Sequence, residues 1–289
     1  TRYFFGKGRS DNASAPATNA RWSVPVAANN DGEPGYKTAF GSSFASQPWR
    51  WNLDYVIAPT GATMTYYYVK ETNKYKKNLA TSTSYDRGGY LKTIQYGERA
   101  AAETDDDSSA KVTFTVEERC DTSLSASCLT AKPKSSTAKA WPDVPMDSVC
   151  DADYCPDQKY APTFFTRKRL AKVETFTRNS AGTGWEPVDA WVFGKSFPEP
   201  SDGAAVPSLW LSSIVHSGQA GPAISLPAVT LDPIMLDSRI SGSGVALEKP
   251  RLATIISETG ARTIVEYSAP ECTNANLPAE SKIPTNITR

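Results

Sequence analysis

Two stretches of this chain are versions of one another. Residues 50–68 read Arg-Trp-Asn-Leu-Asp-Tyr-Val-Ile-Ala-Pro-Thr-Gly-Ala-Thr-Met-Thr-Tyr-Tyr-Tyr, and residues 251–267 read Arg-Leu-Ala-Thr-Ile-Ile-Ser-Glu-Thr-Gly-Ala-Arg-Thr-Ile-Val-Glu-Tyr. Each sets a Leu three residues before a β-branched residue, Leu53 before Val56 and Leu252 before Ile255. Each turns on Thr-Gly-Ala and ends on a Tyr, Tyr68 or Tyr267. Apolar and β-branched runs on either side of a Gly-containing turn predict a β-hairpin. Half-units lie between them: Leu91 to Ile94, Leu170 to Val173 and Leu211 to Ile214. Leu-x-x-Ile is short enough to arise by chance, so the half-units carry less than the two full ones. An internal repeat constrains the fold before anything else, because one unit cannot bury its apolar face alone. The expected fold class is therefore all-β, an antiparallel β-hairpin array forming a curved sheet.

Composition agrees. Thr, Ser, Tyr, Trp, Val, Gly and Pro are plentiful, and long Ala/Leu/Glu/Lys helical patterns are absent. A length of 289 residues allows one large all-β domain or two smaller ones. Residues 1–289 read as a single β-rich region of a longer chain, with an irregular, disulfide-stapled insert at about 119–160. The chain opens inside a strand, Thr1–Phe5, and stops at Arg289 without a closing element, so any secretion signal is expected upstream. With 31 basic and 31 acidic residues, no basic excess marks a nucleic-acid partner. No apolar run approaches the roughly 18 residues of a membrane span.

Strands are expected at 1–5, 21–26, 88–97, 110–118, 163–178, 185–193, 209–216 and 225–231. In the fourth of these, Ala110-Lys-Val-Thr-Phe-Thr-Val-Glu118, alternation sends Val112, Phe114 and Val116 inward. In 88–97, alternation separates Leu91, Thr93 and Gln95 from Tyr90, Lys92, Ile94 and Tyr96. Residues 29–48 carry turn chemistry. The polar, Lys- and Thr-rich stretch 70–86 reads as a surface loop, and 194–208 as another. Residues 232–240 suit a short helix or a strand. Trp141-Pro-Asp-Val-Pro145 is expected to be extended, because a residue before Pro disfavours the helical region.

Five cysteines are present. Cys120 and Cys128 suit one short-loop disulfide and Cys150 and Cys155 a second, leaving Cys272 unpaired; such usage implies an oxidising compartment. Five free thiols in a reducing compartment are the alternative. Zinc fits poorly, since neither spacing is that of a zinc knuckle and the one histidine, His216, has no nearby second ligand. Acidic runs invite a calcium reading at Asp105–Asp107 and at Asp151, Asp153 and Asp157. Solvated loops account for them more simply, because no Gly and bidentate Glu follow Asp105–Asp107 at EF-hand spacing. The patch Arg167-Lys168-Arg169 reads as a solvated strand face rather than a phosphate site. His216 precedes Ser217-Gly218, and no serine lies in a Gly-x-Ser-x-Gly elbow. Trp49, Trp51, Trp185 and Trp191 are candidate sugar platforms, with a role in the core as the alternative. The sequons Asn12-Ala-Ser14 and Asn286-Ile-Thr288 carry no weight alone.

Several motifs together resemble large secreted actinobacterial Rhs/YD-repeat proteins, in the segment that precedes their regular YD array. They are Trp49-Arg-Trp-Asn-Leu-Asp-Tyr55, Arg87-Gly-Gly-Tyr-Leu91, Glu118-Arg-Cys120, Trp141-Pro-Asp-Val-Pro145, Pro162-Thr-Phe-Phe-Thr166, Leu209-Trp-Leu-Ser-Ser-Ile214 and Pro270-Glu-Cys-Thr273. The Tyr-Asp dipeptide itself occurs once, at Tyr85-Asp86, outside the hairpin register. The resemblance implies a secreted or cell-wall-associated, non-enzymatic scaffold, part of a β-shell that encloses or presents an effector domain. Its partners would be the rest of its own chain and that effector. It implies no cofactor, and no catalytic residue carries over. Two other functions stay open: a module binding cell-wall glycan or another surface polymer through Trp and Tyr, and a secreted hydrolase using His216 with acids from the Asp-rich loops.

Overall fold

The computed structural model describes residues 1–103, 108–131, 133–150, 159–203, 206–238 and 247–269. It is all-β, and every strand pair resolved in register is antiparallel. The chain divides into two compact units, Thr1–Val192 with His216–Ser225, and Phe193–Val215 with the chain from Leu226 onward.

The first unit contains β1 (Arg2–Phe5), β2 (Arg21–Ala27), β3 (Phe44–Trp51), β4 (Leu53–Ile57), β5 (Ala62–Lys77), β6 (Thr81–Arg99), β7 (Ala110–Glu118), β8 (Lys168–Arg178) and most of β9 (Trp185–Ser196). Its main sheet runs in the order β1-β4-β5-β6-β7-β8-β9, while β2 and β3 form a separate two-stranded sheet. The second unit holds most of β10 (Trp210–Gly218), then β12 (Val229–Asp237), β13 (Glu248–Ile256) and β14 (Arg262–Ile264), side by side in that order. A two-residue strand, β11 (Ile224–Ser225), pairs with the Ser217–Gly218 end of β10.

The repeat seen in the sequence is a repeat in space, and it is larger than a hairpin. In the β4–β5 turn, Ala58 N–H donates to Ala62 O at 2.8 Å and Gly61 N–H to Ala58 O at 2.9 Å. In the β13–β14 turn, Ser257 N–H donates to Ala261 O at 2.9 Å and Gly260 N–H to Ser257 O at 2.9 Å. Gly61 and Gly260 sit at φ 80° and 83°, a left-handed region that a Cβ disfavours. Tyr55 opposes Thr65 in the first copy as Thr254 opposes Ile264 in the second. The Tyr68 hydroxyl donates to Leu53 O at 2.8 Å, and the Tyr267 hydroxyl to Leu252 O at 2.9 Å. A third strand belongs to each copy. Across β1–β4 the register passes from Phe4↔Tyr55 to Phe5↔Leu53, leaving Asp54 as an extra residue. Across β12–β13 it passes from Asp232↔Thr254 to Pro233↔Leu252, leaving Ala253 in the same place.

Several expectations need correction. Residues 70–86 are not a loop: β5 and β6 form one long hairpin, turning at Asn78 and Leu79 with φ of 52° and 61°. Tertiary packing overrides the polar composition here. Tyr75 and Tyr85 turn inward with Val24 and are packed by Trp49. Residues 44–48 also belong to a strand, β3, whose ladder partner is β2. The alternation expected across 88–97 breaks at Lys92, which is extra between Leu91 and Thr93 in their pairing with Tyr68 and Tyr67. Such a bulge re-phases every side chain beyond it. Strand β9 continues to Ser196; of the two readings open for 232–240, strand holds as far as Asp237. Trp141–Pro145 closes into a turn, with Val144 N–H donating to Trp141 O at 3.2 Å. Val112, Phe114 and Val116 are half-buried.

The irregular region has its own small core. Cys120 and Cys128 form a disulfide and pack with Ala140, Trp141 and Val144, flanked by Met146 and Phe165.

Candidate functional site

The motifs that carry the family resemblance are far apart in the chain, yet five of them meet in the first unit. The meeting point is built on the β5–β6 hairpin. Arg87 is an extra residue of β6, because Glu71 opposes Gly88 and Thr72 opposes Asp86. Its Nη2 donates to Glu71 Oε1 at 2.8 Å, and both side chains are 5% exposed. Glu71 accepts two further bonds, from the Thr166 hydroxyl at 2.5 Å and from Arg167 N–H at 3.2 Å. The Arg87 guanidinium lies 4.4 Å from the centre of the Phe165 ring.

Glu118, at the end of β7, is the second acid. Arg167 holds it as a fork, Nε to Oε2 at 2.8 Å and Nη2 to Oε1 at 3.1 Å. Lys168 Nζ donates to Oε1 at 2.7 Å, and the indole N–H of the buried Trp141 to Oε2 at 3.0 Å. Beside this cluster Trp49 packs on Phe164, with ring centres 4.6 Å apart, and its indole N–H donates to Asp86 O at 2.9 Å. Burial by itself pushes the Glu118 carboxyl up, but hydrogen bonds from Lys168 and Arg167, and their charges, outweigh it and hold the group below the ordinary carboxylate range. Burial draws the Arg87 guanidinium below its ordinary value, with Glu71 opposing that shift. Removing either member of the Arg87–Glu71 pair would strand a buried charge, at a cost of about 3 kcal/mol or more.

This geometry is suited to holding segments together. Among the described residues Glu118 accepts four bonds and Glu71 three, so each carboxylate ties several segments at once. The network corrects the reading of Arg167-Lys168-Arg169 as a solvated face: Arg167 and Lys168 clamp Glu118, and Arg169 Nη2 reaches Glu117 Oε2 at 2.6 Å. Glu71 gave no signal in the sequence. Arg87 and Glu118 did, as members of the motifs Arg87-Gly-Gly and Glu118-Arg-Cys. The second glycine of the first is required by close packing, since a Cβ on Gly89 would lie 2.5 Å from Val69 O and 2.7 Å from Trp22 Cζ2.

Two cavities adjoin the cluster and share Val69 and Lys70. One, of about 470 Å³, is lined by Ala17, Asn19, Tyr67, Tyr68 and Lys92 among others. The other, of about 350 Å³, is lined by Glu71, Thr72, Arg87, Val149, Arg167 and Lys168 among others.

The remaining singled-out residues are dispersed. Cys150 is buried and disulfide-bonded, while Cys155 and Cys272 lie outside the described residues. So do Asp105–Asp107, Asp151, Asp153, Asp157 and the second sequon. In the first sequon, the Asn12 side-chain amide donates to Glu103 O at 2.6 Å and its oxygen accepts from Ser14 N–H at 2.9 Å. Trp51 is 53% exposed and lies against Gly6. Trp185 is half-buried between Lys111 and Arg178, whose charged groups lie 4.2 Å and 4.1 Å from its ring centre. Trp191 stacks on His216, rings parallel within 3° and centres 4.8 Å apart. His216 Nε2 lies 2.9 Å from Asp189 Oδ1, its hydrogen-bond partner among the described residues.

No protein-family model and no curated protein matches this chain. Among solved structures, TcdB2-TccC3-TEV is similar over 91% of this chain and 13% of its own, at 16% identity and a TM-score of 0.41. TcdB2-TccC3 without its hypervariable C-terminal region is similar over 66% and 9%, at 20% identity and a TM-score of 0.37. TcdB2-TccC3-Cdc42 is similar over 76% and 10%, at 16% identity and a TM-score of 0.35. The chain therefore spans a small fraction of the length of each.

Proposed function

We propose that this chain is a non-enzymatic structural segment of a secreted Rhs/YD-repeat type of protein, contributing wall to a β-shell that encloses or presents an effector domain. The observation that carries this reading is the recurrence of one three-stranded unit, β1-β4-β5 and β12-β13-β14, with the same turn, register, bulge and Tyr-to-Leu bond. A repeated unit that ends on an outer strand, β1 in one copy and β14 in the other, suits a wall that extends by addition, since a bare strand edge invites pairing. The convergence of the resemblance motifs on the Arg87–Glu71–Glu118 junction supports it: there they tie the long hairpin to β7, β8 and the disulfide-stapled region. A disulfide between Cys120 and Cys128 suits an oxidising, extracellular setting.

Electron cryo-microscopy of the longer parent chain tests the proposal. The expected result is a continuous β-wall around internal density, with both three-stranded units in the wall. A compact lobe joined by a linker, with neither unit bordering a cavity, would overturn it. Binding of isolated cell-wall glycan by residues 1–289, lost on Trp51→Ala, would instead favour the polymer-binding reading.

A further inference from the structure

Among the described residues, the edge of β5 that faces away from β6 is covered at both ends and open between them. Tyr68 N–H donates to Thr18 O at 2.8 Å, and Tyr68 O accepts from Asn19 Nδ2 at 3.3 Å. Further along, Lys74 N–H donates to Cys150 O at 3.0 Å and Lys76 N–H to Lys159 O at 2.7 Å. The N-terminal loop thus takes one end of this edge, and the region after the disulfide takes the other. The extra residues in the β5–β6 pairing, Arg87, Lys92 and Gly97, all lie on β6, so alternation along β5 is unbroken. It therefore turns the main-chain N–H and C=O of Lys70 and Thr72 to the same edge as those of Tyr68 and Lys74. On that side neither Lys70 nor Thr72 has a main-chain partner among the described residues, and Thr72 is exposed.

What surrounds this window carries a net positive charge, although Lys70 pairs with Asp86, Arg87 with Glu71, and Arg167 and Lys168 with Glu118. The two cavities meet at Lys70. Lys92 lines the larger and has no ion-pair partner among the described residues; Arg87, Arg167 and Lys168 line the smaller, where Glu71 is the one acid in the lining. The Arg87 side chain is 5% exposed, and its Nε and Nη1 have no hydrogen-bond partner among the described residues. Both Lys92 and Arg87 owe their positions to bulges, which re-aim a side chain. Open main-chain donors and acceptors, two residues apart, match the repeat of roughly 6.6–6.8 Å of an extended peptide.

We propose that the β5 edge between Tyr68 and Lys74 binds an extended acidic peptide by strand addition. The peptide backbone pairs with Lys70 and Thr72, and its carboxylates meet the exposed Lys92 and the unpartnered Nε and Nη1 of Arg87. Main-chain pairing supplies affinity in this mode, and the flanking charges supply selectivity.

The test is fluorescence anisotropy of a labelled, acetylated Thr-Glu-Thr-Glu-Thr-Glu peptide titrated with residues 1–289. Saturable binding is expected, weakening as salt rises. A peptide N-methylated at its central residues should bind at least about tenfold more weakly, because it loses ladder bonds. Lys92→Glu, an exposed substitution, should weaken binding by about tenfold without changing the fold. Thr72→Pro removes the outward N–H and should abolish binding; Lys92→Glu and the methylated peptide keep the test decisive if that variant fails to fold. Absence of binding at millimolar peptide would overturn the proposal. So would equal affinity for the methylated peptide, or tighter binding of an acidic oligosaccharide such as oligogalacturonate, which would mark a charge-only glycan site.

Discussion

The two copies of the three-stranded unit share a frame and differ in what their bulge carries. In β13 the extra residue is Ala253; in β4 it is Asp54. Asp54 is fully buried and accepts from Lys7 N–H at 3.1 Å, Gly8 N–H at 2.7 Å and the Thr18 hydroxyl at 2.8 Å. One carboxylate thereby folds the N-terminal loop over the first copy. Around it Tyr55, Val56 and Ile57 are buried, whereas their counterparts Thr254, Ile255 and Ile256 in the second copy are half-buried. Turn, register and tyrosine bond thus specify the unit, and the bulge residue decides what it anchors.

The largest expected effect breaks this difference. Asp54→Ala leaves three donors without their acceptor and should destabilise the first unit by about 3 kcal/mol, read by chemical denaturation. Ala253→Asp should change stability by less, about 1 kcal/mol, since Ala253 is half-buried and not enclosed as Asp54 is. A comparable loss at both sites would refute the contrast. Next in size are the turns. Gly61→Ala and Gly260→Ala should each cost about 1–2 kcal/mol, and by similar amounts, because both glycines share one left-handed conformation and neither faces a close contact. Unequal costs would show that the two turns are alike in outline only.

Smaller again are the tyrosine bonds. Tyr68→Phe should cost about 1 kcal/mol and Tyr267→Phe about half of that, since Tyr267 is 47% exposed and water replaces its bond. Finally, stability should fall in alkali. Burial raises the phenols of Tyr55, Tyr66, Tyr75 and Tyr90, and burial together with the Asp54 charge pushes Tyr68 up to about 12. In the unfolded chain these groups titrate near about 10, so above that pH the unfolded state binds fewer protons. The stability is whole below about pH 10 and is lost as pH rises toward about 12. Thermal midpoints from pH 8 to 11.5 should show that decline, and Tyr68→Phe should make it shallower.

The frame was legible in the sequence because it rests on residues with one main structural use: a glycine at positive φ, a strand-ending tyrosine and a spaced leucine. The bulges were not. An extra residue changes the pairing parity without changing composition, so Lys92 looked like an ordinary alternating strand position and Arg87 lay just outside the strand expected at 88–97. The long β5–β6 hairpin was hidden for a related reason. Its buried residues include Glu71, Asn73 and Arg87, which are polar and become burial-competent only through partners such as Thr166 and Cys150 that the local sequence does not reveal. The candidate site was visible as motifs and invisible as a place. Nothing in the order Glu71, Arg87, Glu118, Trp141, Thr166 states that Arg87 and Thr166 meet on Glu71 while Trp141 bonds Glu118.

Hydrogen exchange on residues 1–289, wild type against Asp54→Ala, tests the account most directly. If the bulge carboxylate is what separates the two copies, peptides covering 53–68 should lose protection in the variant and exchange at rates comparable to those covering 252–267. The latter should stay unchanged. Retained protection across 53–68, with the N-terminal loop still protected, would contradict that claim.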